Sequence, residues 1–426
     1  MSPDPNRSRT NCTHGRSKYR LIVLACLISS AVFNAVLVYN ARGAIFEGYG
    51  DFASFYTAGK IVQRGQRHHL YDSGLQWQVQ REFAARVSVR RGPLPYVRPP
   101  FEALMFLPLA YVSYPRACAL WMALNIVFLF AIPVVLARYL PRDRWALLYL
   151  EGPLCMSLAP VALNFMQGQD ALLLALLLAL AIAALQHRAD FRCGMWLALG
   201  LFKFHLVLPI VLIFALRGKT KVVLGSIVTG AVLVLVSAMM VGVRGVIAYP
   251  GYLWSLGRLS TAGVFAPEVM PNLRGLFAAF HVASGVTADW IVIACMIVGV
   301  VLVARLWKPA DDTDPTLAPA GYSLAVLVAL LTSYYAYSHD LTLLILPLLL
   351  LGGFARASKL GAWTAGAIVV FIGLPLFTPL YWIVIVRFRN FYWLSLMLLL
   401  LSAGLAYTMI MANTPCPEAR PAKQST

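Results

Sequence analysis

Twelve apolar runs punctuate the chain, at residues 21–39, 101–112, 117–137, 145–163, 171–185, 194–216, 222–243, 291–306, 322–335, 341–351, 362–377 and 391–411. An α-helix crosses the hydrocarbon core of a bilayer with about 20 apolar residues. Lipid offers no hydrogen-bond partners, so such runs must satisfy their backbone groups internally, as helices do. The chain is 60% hydrophobic and 12% charged, against roughly 45–50% and 25% in a soluble domain. Only lipid can take up that much apolar surface. The expected fold class is an all-α polytopic membrane protein with about ten to twelve transmembrane helices. Runs shorter than about 17 residues are expected to be tilted, re-entrant or broken.

A net charge of +18 raises nucleic acid as a partner, but the basic residues sit in short loops between the runs. Arg138, Arg142 and Arg144 form one group; His187, Arg188 and Arg192 a second; Arg217, Lys219 and Lys221 a third. Arg305 with Lys308, and Arg356 with Lys359, complete the set. Cytoplasmic loops facing anionic lipid have this pattern. No compact basic face with interleaved aromatics accompanies them, so membrane lipids are expected partners and nucleic acid is not. The seven cysteines are scattered without a CxxC pair, and no disulfide framework or metal site is expected of them.

Orientation follows from the same charges. Residues 1–20 read as a basic cytoplasmic tail and 21–39 as a retained signal anchor within one integral domain, 21–411; residues 412–426 read as a disordered tail. Two segments, 41–98 and 244–289, are too long and polar for turns and are expected outside the cell, the first carrying amphipathic helices. The turn at 164–170 and the turn at 337–340 fall on that same face. With 41–98 outside and 138–144 inside, one net crossing must lie between them, yet 101–112 and 117–137 both look embedded. Residues 194–216 are basic at both ends, with Lys203 at the middle. Two half-length helices meeting at Lys203 are expected, and a lysine at that depth is a functional candidate.

The segment after the first run opens on Asp51. Phe52, Phe55, Tyr56, Gly59 and Val62 share one helical face, with Lys60, Gln63 and Arg64 elsewhere. A carboxylate on a helix beside the membrane can reach a substrate whose tail lies in lipid. The plainer account is that Asp51 is the N-cap of that helix, a favoured place for aspartate; Asp72 reads as the cap of the next.

Several motifs recur in order: Asp51-Phe-Ala-Ser-Phe-Tyr56 with Ala58-Gly59, Gly65-Gln66, Leu70-Tyr71-Asp72, and Tyr96-Val-Arg98-Pro-Pro-Phe101 with Pro108-Leu-Ala110. Residues 121–125, Gln167-Gly168-Gln169, residues 194–203 and His339 follow. Together, over residues 49–351, they resemble the glycosyltransferase 87 family, membrane enzymes that use polyprenyl-phosphate sugars, among them mannosyltransferases. The resemblance implies a C-type glycosyltransferase helical bundle and extracytoplasmic chemistry at the cytoplasmic (inner) membrane. It also implies a polyprenyl-phosphate-linked sugar donor, a lipid-linked or glycan acceptor, and a catalytic acid at Asp51. The chain departs from the pattern twice: Lys203 is followed by Phe-His where a proline is common, and His339 by Asp340 where a second histidine is common.

For that chemistry Asp51 is the expected general base, and His339 either assists proton transfer or contacts the donor. A histidine in an aromatic belt is the plain account of His339. Lys203 and Arg98 are candidate phosphate cations, with a paired lysine and a snorkelling arginine as their plain accounts. Tyr56, Gln167, Gln169, Asn272 and Arg274 are candidate substrate contacts; Lys60, Arg64 and Arg67 are expected at lipid headgroups. Asp311-Asp312-Thr-Asp314 looks like a metal-binding DxD cluster but reads as a solvated linker, and neither a metal nor a cofactor is expected. The competing class is a transporter or lipid flippase, which predicts repeat symmetry and midplane charges along a path. The chain shows no internal repeat, and only Lys203 is a clear midplane charge.

Overall fold

The structure, a computed structural model, describes residues 5–84, 92–137, 152–258, 266–282, 285–308, 311–312, 317–357 and 377–413. The basic loop at 138–144, the first part of the run at 145–163, Asp314, Lys359, nearly all of the run at 362–377 and the tail beyond 413 lie outside the described residues. Among the described residues every regular element is helical, and one isolated antiparallel bridge joins Leu158 to Phe377.

The chain begins with α1 (Pro5–Phe46), α2 (Phe52–Gln63) and α3 (Ser73–Phe83). Then come α4 (Tyr114–Val135), α5 (Ala159–Gln167), α6 (Ala171–Gln186), α7 (Asp190–Leu199) and α8 (Phe204–Leu216). The remainder comprises α9 (Thr220–Arg258), α10 (Leu273–Ala279), α11 (Gly285–Leu306), α12 (Leu317–Leu331), α13 (Ile345–Ala357) and α14 (Tyr392–Asn413). Among the described residues six helical stretches are, by length and composition, apolar enough to cross a membrane: Leu24–Phe46, Tyr114–Val135, Asp190–Leu216, Thr220–Leu256, Gly285–Leu306 and Tyr392–Met411. Four shorter apolar helices accompany them.

Residues 101–112 form no long helix. They form three short turns, Pro100–Glu102, Ala103–Phe106 and Pro108–Tyr111. Pro99, Pro100 and Pro108 withhold backbone donors there and favour breaks between the turns. That leaves α4 as the long helix between 98 and 137.

The expected break at Lys203 is present, with α7 and α8 separated by a 3-10 turn, Gly200–Lys203. The stretch 190–216 also doubles back. Its first turns lie beside the first turns of α9, where Ser226 Oγ donates to the Gly194 carbonyl at 3.1 Å. Its end at Leu216 joins α9 through three residues, while its tip, Lys203, lies beside Asp170 at the opposite end of α6. Glycine permits the α7–α9 approach: a Cβ on Gly194 would fall 1.9 Å from the Val222 carbonyl oxygen, and one on Gly225 2.1 Å from that of Phe191. Small residues at such crossings let helix backbones pack closely where lipid supplies no hydrophobic drive.

Two apolar cores result. The larger joins α6, α7, α8, α12, α13 and α14. The smaller is aromatic and surrounds α2, which is buried on every face from Phe52 through Gly59. The turns at 100–111 cover the apolar face, with Phe55 stacked on Phe106 at 4.9 Å, and Ala53, Ser54, Thr57 and Ala58 on the remaining faces are buried as well. Only its last residues, near Lys60 and Gln63, reach the exterior. α1 is tied on by polar contacts, Ser30 Oγ to the Ser157 carbonyl (3.0 Å) and Asn34 Nδ2 to that of Met156 (2.7 Å).

Candidate active site

Where the two cores meet, five elements deliver charged side chains to one buried cluster. Gly168 sets the first piece. It ends α5 in the left-handed conformation (φ +64°), and a Cβ there would strike Phe52 at 2.6 Å. The tight turn brings Gln169 and Asp170 against the start of α2, and Trp121 Nε1 fixes it by donating to the Gly168 carbonyl at 2.9 Å. Gln169 Nε2 donates to Asp51 Oδ2 at 2.6 Å, and Gln169 Oε1 accepts from Arg98 Nη2 at 3.3 Å. Although Asp51 stands at the N-cap position of α2, its side chain caps nothing. The capping account therefore fails for Asp51 and holds for Asp72, which accepts from the Leu75 N–H at 2.7 Å.

Arg98 is not a snorkelling residue. It is 4% exposed, and its Nη2 lies 3.0 Å from Asp170 Oδ1. The backbone carrying it is held by tyrosines: the hydroxyls of Tyr71, Tyr249 and Tyr252 donate to the carbonyls of Arg98 (2.8 Å), Val97 (3.0 Å) and Tyr96 (3.2 Å). Lys203, at the hairpin tip, is 1% exposed, with Nζ 2.8 Å from Asp170 Oδ1 and 2.5 Å from Asp340 Oδ1. Asp340 Oδ2 accepts from the Tyr337 N–H at 2.9 Å and lies 3.5 Å from His339 Nε2. One chain of contacts thus runs from Asp51 through Gln169, Arg98, Asp170, Lys203 and Asp340 to His339.

Two cations facing two fully buried carboxylates give a nearly neutral cluster, the condition under which charges survive burial. Glu102, also buried, stands 4.0 Å from Arg98 Nε and accepts from the Tyr96 hydroxyl at 3.2 Å; burial pushes its carboxyl well above the usual range, so it adds no charge to the cluster. His339 lies in the turn between α12 and the next helix. Its burial pushes the imidazole pKa below its ordinary value against the opposing pull of Asp340, so it stays neutral.

The other candidates are placed elsewhere or otherwise employed. Tyr56 belongs to the aromatic core and donates its hydroxyl to the Val112 carbonyl at 2.8 Å. Asn272 spends its amide on structure, accepting from the Gly275 N–H and donating to the Ser333 carbonyl, each at 3.0 Å. Arg274 pairs with Asp289 (3.2 Å) and covers the Tyr334 ring at 4.4 Å. Gln167 leaves its Oε1 buried without a partner among the described residues. Arg64, expected at headgroups, pairs with Glu82 and holds that carboxyl below the usual range; both are too exposed for the pair to matter much.

Asp311 and Asp312 are not a solvated linker. Asp312 pairs with Arg217 at 2.5 Å and with Lys219, while Asp311 accepts from the Lys308 N–H at 2.9 Å. Arg217 also donates to the Trp307 carbonyl (2.6 Å) and lies over its ring at 3.7 Å. This second ionic cluster closes the opposite end of α8. No grouping of side chains suited to a metal ion occurs among the described residues.

Sequence reasoning passed over Asp170 and Glu102 and treated Asp340 only as a departure from a pattern. Asp170 stands beside Gln169 in a turn already suspected, and a mid-run lysine requires acidic partners. No curated protein and no solved structure matches the chain. The model of glycosyltransferase family 87 matches residues 96–333, which include Arg98, Gln169, Asp170 and Lys203. Over more than half its length, and with these helices and this cluster, the chain belongs to glycosyltransferase family 87 and is a multi-pass membrane glycosyltransferase.

Proposed function

We propose that the protein transfers a hexose, with mannose the first candidate, from a polyprenyl monophosphate to a lipid-linked or envelope glycan acceptor. The reaction takes place at the extracytoplasmic face of the cytoplasmic membrane. One observation carries the reading: the Asp51 carboxylate, free of any capping duty, is oriented by Gln169 and joined through it to buried cations.

In this reading Asp51 takes the proton of the acceptor hydroxyl as that oxygen bonds to the anomeric carbon. The bond from that carbon to the phosphate oxygen breaks, and its electron pair leaves on the phosphate, which stays in the membrane as polyprenyl phosphate. One base and one displacement give inversion, unlike the double displacement of retaining hydrolases. Arg98 and Lys203 offer positive charge to the departing phosphate, sharing it with Asp170 and Asp340. His339, neutral beside Asp340, can donate to the donor or relay the proton. The prenyl tail adds affinity at about 0.8 kcal/mol per buried CH₂.

The test is transfer from radiolabelled polyprenyl-phosphate mannose to endogenous lipids in membranes carrying wild type or Asp51→Asn. A positioned base is worth roughly 10²- to 10⁴-fold, so the substituted protein, folded but baseless, is expected to lose labelling by that factor. Equal labelling moves the base elsewhere, with His339 next to test. No labelling by wild type removes this donor.

A further inference from the structure

One group in the cluster has no employment in the account above. His205, in the first turn of α8, is 8% exposed, and neither Nδ1 nor Nε2 has a hydrogen-bond partner among the described residues. Its ring is held by aromatics alone, stacked on Tyr335 at 4.3 Å and 29° and edge-on to Phe204 at 5.7 Å. The same Tyr335 carries its hydroxyl 3.4 Å from Arg98 Nη1. Lys203 lies two residues away, and Asp170, Asp340, Arg98 and Lys203 are the charged groups within electrostatic reach of the imidazole.

Burying two imidazole nitrogens unpaired is unfavourable, and an apolar ring of similar shape would avoid it. The neighbours Phe202, Leu206 and Val207 are all apolar and almost wholly buried. Local packing thus supplies no reason for a histidine. Of the carboxylate oxygens in the cluster, both of Asp340 are taken, by Lys203 and the Tyr337 N–H, and Asp170 Oδ1 by Arg98 and Lys203. Asp170 Oδ2 is buried without a partner among the described residues and makes no hydrogen bond to the imidazole. What the imidazole lacks is an acceptor, and beside Arg98 and Lys203 an anionic one is the best suited. A phosphate oxygen meets that need, and an imidazole N–H is a suitable donor to it.

We infer that His205 is a donor-binding residue, its imidazole N–H contacting a phosphate oxygen of a prenyl monophosphate ester held between Arg98 and Lys203. The inference rests on the monophosphate donor proposed above.

The experiment is thermal unfolding of the full-length protein in detergent, titrated with farnesyl phosphate, farnesol or inorganic phosphate. Wild type, His205→Phe, His205→Gln and Asp51→Asn are compared. Wild type and Asp51→Asn are expected to be stabilised by farnesyl phosphate and not by farnesol. His205→Phe is expected to melt no lower than wild type without ligand and to bind farnesyl phosphate about tenfold more weakly, the loss of one hydrogen bond to a charged group. His205→Gln, which restores an N–H, is expected to recover part of the affinity. A response to inorganic phosphate that His205→Phe also loses supports the phosphate contact while taking the prenyl tail out of it. Wild-type affinity in His205→Phe overturns the inference alone. A His205→Phe protein that melts below wild type without ligand overturns it too, since the nitrogens would then be structural. Wild type that ignores farnesyl phosphate overturns the inference and the monophosphate donor together.

Discussion

Lys203 is the residue on which the cluster depends. Its ammonium is shared by Asp170 and Asp340, and removing one member of a buried ionic set leaves uncompensated charge, at a cost of about 3–5 kcal/mol. Lys203→Met is therefore expected to lower stability by that amount, and adding Asp340→Asn to recover part of it; melting of the purified proteins in detergent decides. His339 carries a pH signature. Its folded pKa is depressed, so its contribution is fully present above the unfolded value, about 6.5, and is lost as pH falls toward the folded value. Melting temperature of wild type is expected to decline below about pH 6.5, and His339→Gln to flatten that decline. Of these residues, sequence pattern picked out Asp51, Arg98, Gln169, Lys203 and His339. It could not pick out Asp170 or Glu102, because an acid looks alike whether it caps a helix or meets a cation far along the chain. Asn272 and Tyr56 show how such patterns overlap, since the groups that bind sugars also cap helices and close aromatic cores.

At the level of elements, the α7–α9 crossing is the tightest contact in the hairpin that presents Lys203. A methyl on Gly194 meets backbone, which cannot rotate away. Gly194→Ala is expected to force the helices apart at about 1–3 kcal/mol and to reduce transfer by displacing Lys203, whereas Ala198→Gly, on the same helix, leaves the crossing intact. Comparing melting and transfer in the two variants tests whether closeness or mere glycine content matters. The hairpin was legible from its two basic ends and mid-run lysine. The run at 101–112 was legible as too short to cross, but not as three separate turns, since only its prolines mark the breaks. The burial of α2 on all faces was likewise hidden, because the covering residues come from later in the chain.

For the whole molecule, charge gathers at two levels, the Lys203 cluster and the Arg217–Asp312 cluster, rather than along a path through the described helices. If 190–216 returns to its own side, residues flanking it share a compartment. Single cysteines at His187 and Thr220 are expected to react with a membrane-impermeant maleimide only after permeabilisation, and one at His68 to react without it. Labelling of His187→Cys and Thr220→Cys from opposite sides would mean that the stretch crosses. The hairpin also has a consequence in time. Asp170 precedes Lys203 on the ribosome, but Asp340 follows it by 137 residues. At 5–20 residues per second that is roughly 7–27 s. Throughout that interval the nascent lysine has Asp170 for company and lacks its second acid. The tip of the hairpin must therefore wait, half-neutralised, at the insertion machinery or at the lipid surface, and it locks only when the 340–357 segment arrives.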